Sequence, residues 1–325
     1  MRFTSPDRPA DRVLYHAVSS YQLLEVLLHR MVRYPHSRAV LILPDFITQK
    51  YPKYKRLLRG RFFDELYLLP YLHISHTDER TIAAAVARWY DQNIPHALED
   101  FGAVYIAGAH FYFSLLPISR SVPFVFLEDA AGMLSRPQDL YRPLARRYPV
   151  HAAIAREHGL FDGTNPLVSG RVCLRRAQAE GFCTDGTEDF CVEDILQALP
   201  DAQRKRIIRL FLRRRIRTHA QAILLTQRFA GLGLMGETEQ RALYRRAAAC
   251  ELRDLRLVIK PHPDDTLDYR EIFPRAQILA QKFPSELLPY VFTRRPEQIY
   301  TFDSTGCENL RDHFQIRRME RMNPE

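Results

Sequence analysis

The sequence predicts an α/β protein made of two parallel-sheet domains in series. Short apolar runs alternate with stretches of helical periodicity, the pattern of strands covered by crossover helices. At 325 residues the chain exceeds a comfortable single core. Its most reactive polar clusters follow directly after apolar runs, at the carboxyl ends of strands where open parallel sheets hold ligands.

Residues 12–18 (RVLYHAV) read as the first strand, and Ser19 or Ser20 can cap the helix that follows. In that helix Leu23, Leu24, Leu27, Leu28 and Met31 recur at helical spacing. Residues 39–43 and 65–69 are the next strands, and Asp78 caps a long helix through Trp89. Residues 103–106 and 123–127 complete a first sheet. Pro137, Pro143, Pro149 and Pro166 lie in a stretch, 135–166, where they should spoil long helices. The domain boundary is therefore expected near its end, dividing the chain into 1–165 and 166–325. The second domain is expected to hold strands at 167–174, 222–226, 256–260, around Ile278 and at 298–302. Helices over 192–217 and about 238–253 lie between them.

Composition narrows the function. Hydrophobic content of 46% and charged content of 26% suit an ordinary globular chain. The 47 Lys and Arg outnumber 38 Asp and Glu, a net charge of +9 that suits phosphorylated small molecules, anionic lipid or nucleic acid. Five cysteines (Cys173, Cys183, Cys191, Cys250 and Cys307) form neither a C-x-x-C pair nor a zinc-like spacing, and read as reduced thiols. The amino terminus has no apolar signal-peptide core. Residues 102–118 are apolar, but His110 and Pro117 make a buried strand and helix start a better reading than a membrane span. A soluble, cytoplasmic protein is expected.

Three strand ends carry chemistry. After 123–127 come Glu128 and Asp129, then the small residues Ala130, Ala131 and Gly132. A carboxylate here can serve as general base toward an alcohol, or Asp129 can cap the next helix. The segment 256–260 ends in Lys260 and is followed by Pro261, His262 and Pro263. Two prolines fix the histidine beside a lysine, an arrangement suited to a phosphate, although a loop histidine bonded to backbone fits too. After 298–302 come Asp303, Ser304, Thr305 and Gly306, which can offer donors to phosphate at a helix N-terminus or simply cap that helix.

Two domains of this kind facing across a cleft form the GT-B plan, shared by several unrelated enzymes. The ordered set Glu128-Asp129, then KPHP at 260–263, then FDSTG at 302–306 resembles bacterial GT-B sialyltransferases. The likeness is to the lipooligosaccharide sialyltransferases and glycosyltransferase family 52. Ser20-Tyr21-Gln22 and Leu225-Thr226-Gln227 also resemble segments of that family. The resemblance implies Asp129 as general base and His262 as phosphate ligand and acid. Lys260, Pro263, Ser304, Thr305, Gly306, Thr226 and Gln227 would lie around the donor, with Glu128, Ser20 and Gln22 on the acceptor side. It further implies a CMP-sialic acid donor, a lipooligosaccharide or capsule hydroxyl as acceptor, and no cofactor. Ala130 stands where the family has glycine, which reshapes the acceptor side if that position needs a positive φ.

No D-x-D motif is present, so no metal is expected. Gly231, Gly233 and Gly236 match G-x-G-x-x-G, but residues 227–230 separate them from the strand and the next strand ends in Lys260 rather than an acid. A loop near the donor phosphate fits them better than a dinucleotide site. Residues 204–217 (RKRIIRLFLRRRIR) read as one amphipathic helix with Ile207, Ile208, Phe211, Leu212 and Ile216 on its apolar face. It either docks on the protein or adheres to an anionic membrane. Nucleic acid is not expected, because interleaved aromatics are missing. An oligomer is compatible with the sequence. The expectation is a metal-independent inverting sialyltransferase, cytoplasmic and peripheral at the inner membrane face. Its rivals are a GT-B transferase of another nucleotide-activated sugar or polyol phosphate, and a non-catalytic nucleotide- or membrane-binding protein of the same fold.

Overall fold

A computed structural model describes residues 11–128, 134, 136–173, 187–302, 304, 307 and 310–321. The chain forms two compact units, Met1–Ala198 and Leu199–Glu325. Each is built on a sheet whose strands all run parallel.

The first sheet contains β1 (Arg12–His16), β2 (Arg38–Pro44), β3 (Glu65–Leu69), β4 (Ala103–Ala107), β5 (Phe124–Leu127), β6 (Val168–Cys173) and β7 (Thr187–Asp189), in the order β3-β2-β1-β4-β5-β6-β7. Crossover helices cover its faces, so β1 and β2 are buried almost throughout and read as apolar runs. Ser19 caps the helix Ser20–Arg33, its Oγ accepting the Gln22 N–H at 3.1 Å. Asp78 caps the helix Glu79–Asn93 in the same way, accepting the Thr81 N–H at 2.9 Å, and Ile82, Val86 and Tyr90 face the core at i, i+4 spacing. Residues 102–118 are β4, a turn at Gly108 with φ 65°, and the short helix Leu115–Ser119. Among the described residues no helix is long and apolar enough to cross a membrane.

The expected boundary at 165/166 is corrected to 198/199. Strand β6, assigned from sequence to the second domain, pairs with β5 from Phe124↔Val168 to Leu127↔Val172, and β7 adds outside it. The prolines also act differently from expectation. Pro137 and Pro149 begin the helices Pro137–Arg147 and Pro149–Glu157, where their missing N–H has no intrahelical partner to lose.

The second sheet contains β8 (Ala222–Leu225), β9 (Leu257–Lys260), β10 (Gln277–Ile278), β11 (Gln298–Thr301) and β12 (Gln315–Arg318), in the order β10-β9-β8-β11-β12. The helical stretch expected over 192–217 is instead two helices, Val192–Ala198 and Asp201–Phe211, parted at Pro200. Leu212 is already extended, so residues 213–217 lie outside any helix. The helix Asp201–Phe211 buries Ile207, Leu210 and Phe211, and that face is unavailable to lipid. A second core packs Leu224, Ile259 and Phe302 against Tyr244, Tyr269 and Leu243.

Four buried histidines distinguish the first unit. His16 stacks on Phe113 at 4.8 Å, and His29 Nδ1 meets the Tyr15 hydroxyl at 2.7 Å. His151 donates from Nε2 to the His110 carbonyl at 2.6 Å while Tyr71 reaches its Nδ1 at 3.2 Å. Burial lowers all four, His16, His29, His110 and His151, to about 3.

Two expectations follow. The unfolded chain protonates these histidines near 6.5 and the fold resists until about 3, so stability should fall as pH drops through that window. The loss is up to ~1.4 kcal/mol per histidine per pH unit; a melting temperature flat across the window contradicts it. Expressed alone, segment 1–198 should be soluble and cooperative, whereas 1–165 leaves β5 with an open edge and should aggregate. Equal behaviour on a sizing column would return the boundary to 165/166.

Candidate functional site

The strand order of the second sheet reverses beside β8, and ligands of such sheets sit at the carboxyl ends flanking that point. Register brings the polar clusters together there. Leu225 pairs with Lys260, while Tyr300 pairs with Leu224 one residue before Thr301. The segments beginning at Thr226, Pro261 and Phe302 therefore leave one edge side by side, adjacent strands being ~4.8 Å apart.

His262 is half-buried and held from three sides. Its N–H donates to Thr226 Oγ1 at 3.0 Å, its carbonyl accepts from the Asp265 N–H at 3.1 Å, and its Nδ1 accepts from the Asp264 N–H at 3.1 Å. A neutral ring accepting at Nδ1 carries its hydrogen on Nε2, so the histidine is set as an Nε2 donor. Pro263 is half-buried beside it. Lys260 ends β9 with its Nζ 5.0 Å from the centre of the Phe283 ring. Burial lowers its pKa to about 8, against the opposing pull of buried Glu286. Ser304 is half-buried, with its N–H donating to Thr301 Oγ1 at 3.3 Å and its carbonyl accepting from the Cys307 N–H at 3.4 Å. Among the described residues no α-helix lies between β11 and β12.

Several of the expected site residues hold backbone groups at strand ends. Thr226 is 4% exposed, and its hydroxyl accepts the His262 backbone N–H, so it positions the histidine. Gln227 is half-buried, its N–H held by the Tyr244 hydroxyl at 2.7 Å. In the first unit Gln22 is 1% exposed and its Oε1 accepts from the Val18 N–H at 2.7 Å, closing the turn after β1. Glu128 is likewise 1% exposed and accepts from the Leu134 N–H at 2.9 Å. Both carboxamide and carboxylate thus brace strand ends. Ser20 opens its helix at the same edge, half-buried. Asp129, Thr305 and Gly306 lie outside the described residues.

Asp264 and Asp265 are braces. Asp265 accepts from Gln240 Nε2 at 3.0 Å and from the Tyr269 hydroxyl at 2.5 Å, while Gln240 Oε1 accepts from the Ala230 N–H at 2.7 Å. One carboxylate and one carboxamide thereby tie the loop after β8 to the loop after β9. Asp264 pairs with Arg228 at 3.4 Å, adding a cation at this edge that sequence reasoning missed. Its signal was a basic residue shortly after an apolar run. The glycine-rich loop carries a positive φ only at Gly233, 69°. The Gly236 N–H donates to Glu239 Oε2 at 2.6 Å, so a carboxylate already occupies the start of helix Glu237–Ala249. A pyrophosphate would be repelled there.

No protein-family model and no curated protein sequence matches the chain. Solved structures do. The glycotransferase of kitacinnamycin is similar at TM-score 0.51 and 13% identity, over 97% of this chain and 82% of that one. UGT89C1 of Arabidopsis thaliana, solved with UDP-L-rhamnose, is similar at TM-score 0.52 and 11% identity, over 97% and 86%. The UDP-GlcNAc 2-epimerase of Methanocaldococcus jannaschii, solved with UDP-GlcNAc and UDP, is similar at TM-score 0.55 and 14% identity, over 92% and 80%. At these identities the likeness establishes the fold, GT-B with two Rossmann-like domains, and leaves the chemistry to the residues.

Lys260 supplies a test with two opposite signs. Its depressed pKa means the fold disfavours the charged amine, so raising pH above about 8 relieves the fold. The same rise removes a positive charge from the edge. Affinity for a phosphate-bearing ligand should therefore fall through pH 8 while the melting temperature of the free protein does not, and Lys260→Met should abolish the pH dependence of affinity. An affinity indifferent to pH in the unaltered protein would remove Lys260 from the anion site.

Proposed function

We propose that this chain is a glycosyltransferase that uses a nucleotide-activated sugar and holds the donor phosphate at the carboxyl edge of β8, β9 and β11. The observation supporting this reading is the registered convergence of Lys260, His262 and Ser304 on that edge, with His262 set as an Nε2 donor. In the reaction, the acceptor hydroxyl attacks the anomeric carbon and gives its proton to Asp129. The bond from that carbon to the phosphate oxygen breaks with its electron pair. His262 and Lys260 meet the charge that develops on the departing phosphate, the stage at which such donors lower a barrier most.

For the donor we propose CMP-linked sialic acid, transferred with inversion and without metal to a glycan hydroxyl. The ordered Glu128-Asp129, KPHP and FDSTG segments favour it, and a single donor phosphate is within reach of side-chain donors alone. A second reading keeps the site and changes the nucleotide: UGT89C1 and the Methanocaldococcus enzyme were solved with UDP-sugars.

Melting the protein with CMP, UDP, GDP, CDP-glycerol and NAD in turn separates these. A ligand at a hundredfold excess over its Kd stabilises by about 2.7 kcal/mol, a shift of a few degrees. CMP should give the largest shift, and His262→Ala should diminish it. A larger response to UDP would transfer the proposal to the second reading, and silence across the panel, CMP-sialic acid included, would reject a transferase. Asp129→Asn should leave donor binding intact and lower kcat by roughly 10²–10⁴-fold; a loss confined to donor affinity would assign Asp129 another role.

A further inference from the structure

The basic run read from sequence as the end of a helix is, in the fold, half of a larger surface. Helix Asp201–Phe211 stops before Arg213, and the chain turns to run beside residues 291–293. Ile216 and Phe292 form a parallel bridge: the Ile216 N–H donates to the Val291 carbonyl at 2.7 Å, and the Thr293 N–H donates to the Ile216 carbonyl at 2.9 Å. This pairing sets Arg215 and Arg217 alongside residues 291–293, so that Arg213 and Arg214 precede and Arg294 and Arg295 follow along one pair of neighbouring segments, far apart in sequence. All six are exposed.

Among the described residues, none of Arg213, Arg214, Arg215, Arg217 or Arg294 has an ion pair. Arg295 lies over the Phe314 ring at 5.4 Å. Burial first, and the Arg295 charge second, lowers the pKa of neighbouring His313. Six guanidinium groups uncompensated on one surface carry a repulsion that a soluble scaffold gains nothing from keeping. Both segments lead into the amino-terminal ends of adjacent strands β8 and β11, away from the carboxyl edge that carries His262.

We infer that Arg213, Arg214, Arg215, Arg217, Arg294 and Arg295 form one surface that docks the protein on an anionic membrane. Guanidinium forks match lipid phosphates in geometry, and arginine stems bury their methylenes at headgroup depth while the charge stays wet. A single-stranded nucleic acid would need exposed aromatic faces to stack on. Here Phe292 and Phe314 are buried and Tyr290 is covered by the Arg204 guanidinium. Because the helix face is buried in the protein, attachment is electrostatic and involves no inserted apolar stripe.

The test uses the 325-residue chain with phosphatidylglycerol vesicles, phosphatidylcholine vesicles and a duplex DNA at low ionic strength, read by co-sedimentation and competition. The protein should bind the anionic vesicles, ignore the zwitterionic ones and be released by salt. Removing one arginine should weaken binding about fivefold, so R294Q/R295Q should lose roughly 25-fold and R213Q/R214Q/R215Q roughly a hundredfold. All five positions are exposed, and both variants should keep the melting temperature and the nucleotide-induced shift of the parent. That retention separates failure of this surface from failure of the donor site. Absence of binding to phosphatidylglycerol, equal binding to phosphatidylcholine, preference for the duplex, or parental binding by R294Q/R295Q would each overturn the inference.

Discussion

Parallel pairing is the constraint on which the rest depends. A parallel ladder cannot be closed by a hairpin, so each strand returns through a crossover that covers a face of the sheet. Both faces are then dry, the strands become apolar runs, and polar groups are driven to the ends. In the second unit this leaves the carboxyl termini of β8, β9 and β11 level along one edge. Whatever charge the protein presents to a ligand there comes from the residues that follow those three strands.

That edge is held by more than its strands. The loop after β8 holds only the 3-10 turn Ala230–Leu232, and in it and the loop after β9 side chains meet backbone donors: Tyr244 for Gln227, Gln240 for Ala230, Thr226 for His262. Asp265 joins Gln240 to Tyr269. Buried polar groups of this kind are costly when unmet and rigid when satisfied. The outcome is a histidine whose tautomer is set by a backbone N–H, the condition for presenting a constant donor to an anion. The first unit uses the same device with Gln22 and Glu128, each bracing a strand end from inside.

Charge is distributed between the two ends of the second sheet. The cations of the carboxyl edge are partly neutralised: Arg228 by Asp264, and Lys260 by its own burial and by Glu286. The amino end has arginines that are exposed and, apart from Arg295 on Phe314, unaccompanied. The first arrangement suits a defined phosphate in a low-dielectric setting; the second suits a diffuse anionic surface.

What the sequence by itself determined are features carried by neighbours along the chain. Apolar runs located β1–β5, β8, β9 and β11, and the caps at Ser19 and Asp78 placed the helix starts, because side chain and backbone partner lie within one turn. The position of KPHP past a strand was legible for the same reason. Only the tertiary structure decided the rest. Edge strands β7 and β12 are short and charged, without an apolar run to betray them. The boundary at 198/199 depends on β6 pairing with β5 across forty residues of intervening chain, and sequence periodicity says nothing of which strand is the neighbour. That Gln22, Glu128 and Thr226 accept backbone N–H groups follows from burial and loop geometry, which the sequence does not display. Arg294 joined Arg215 only through a bridge between Ile216 and Phe292, because hydrogen bonding between distant segments has no local signature.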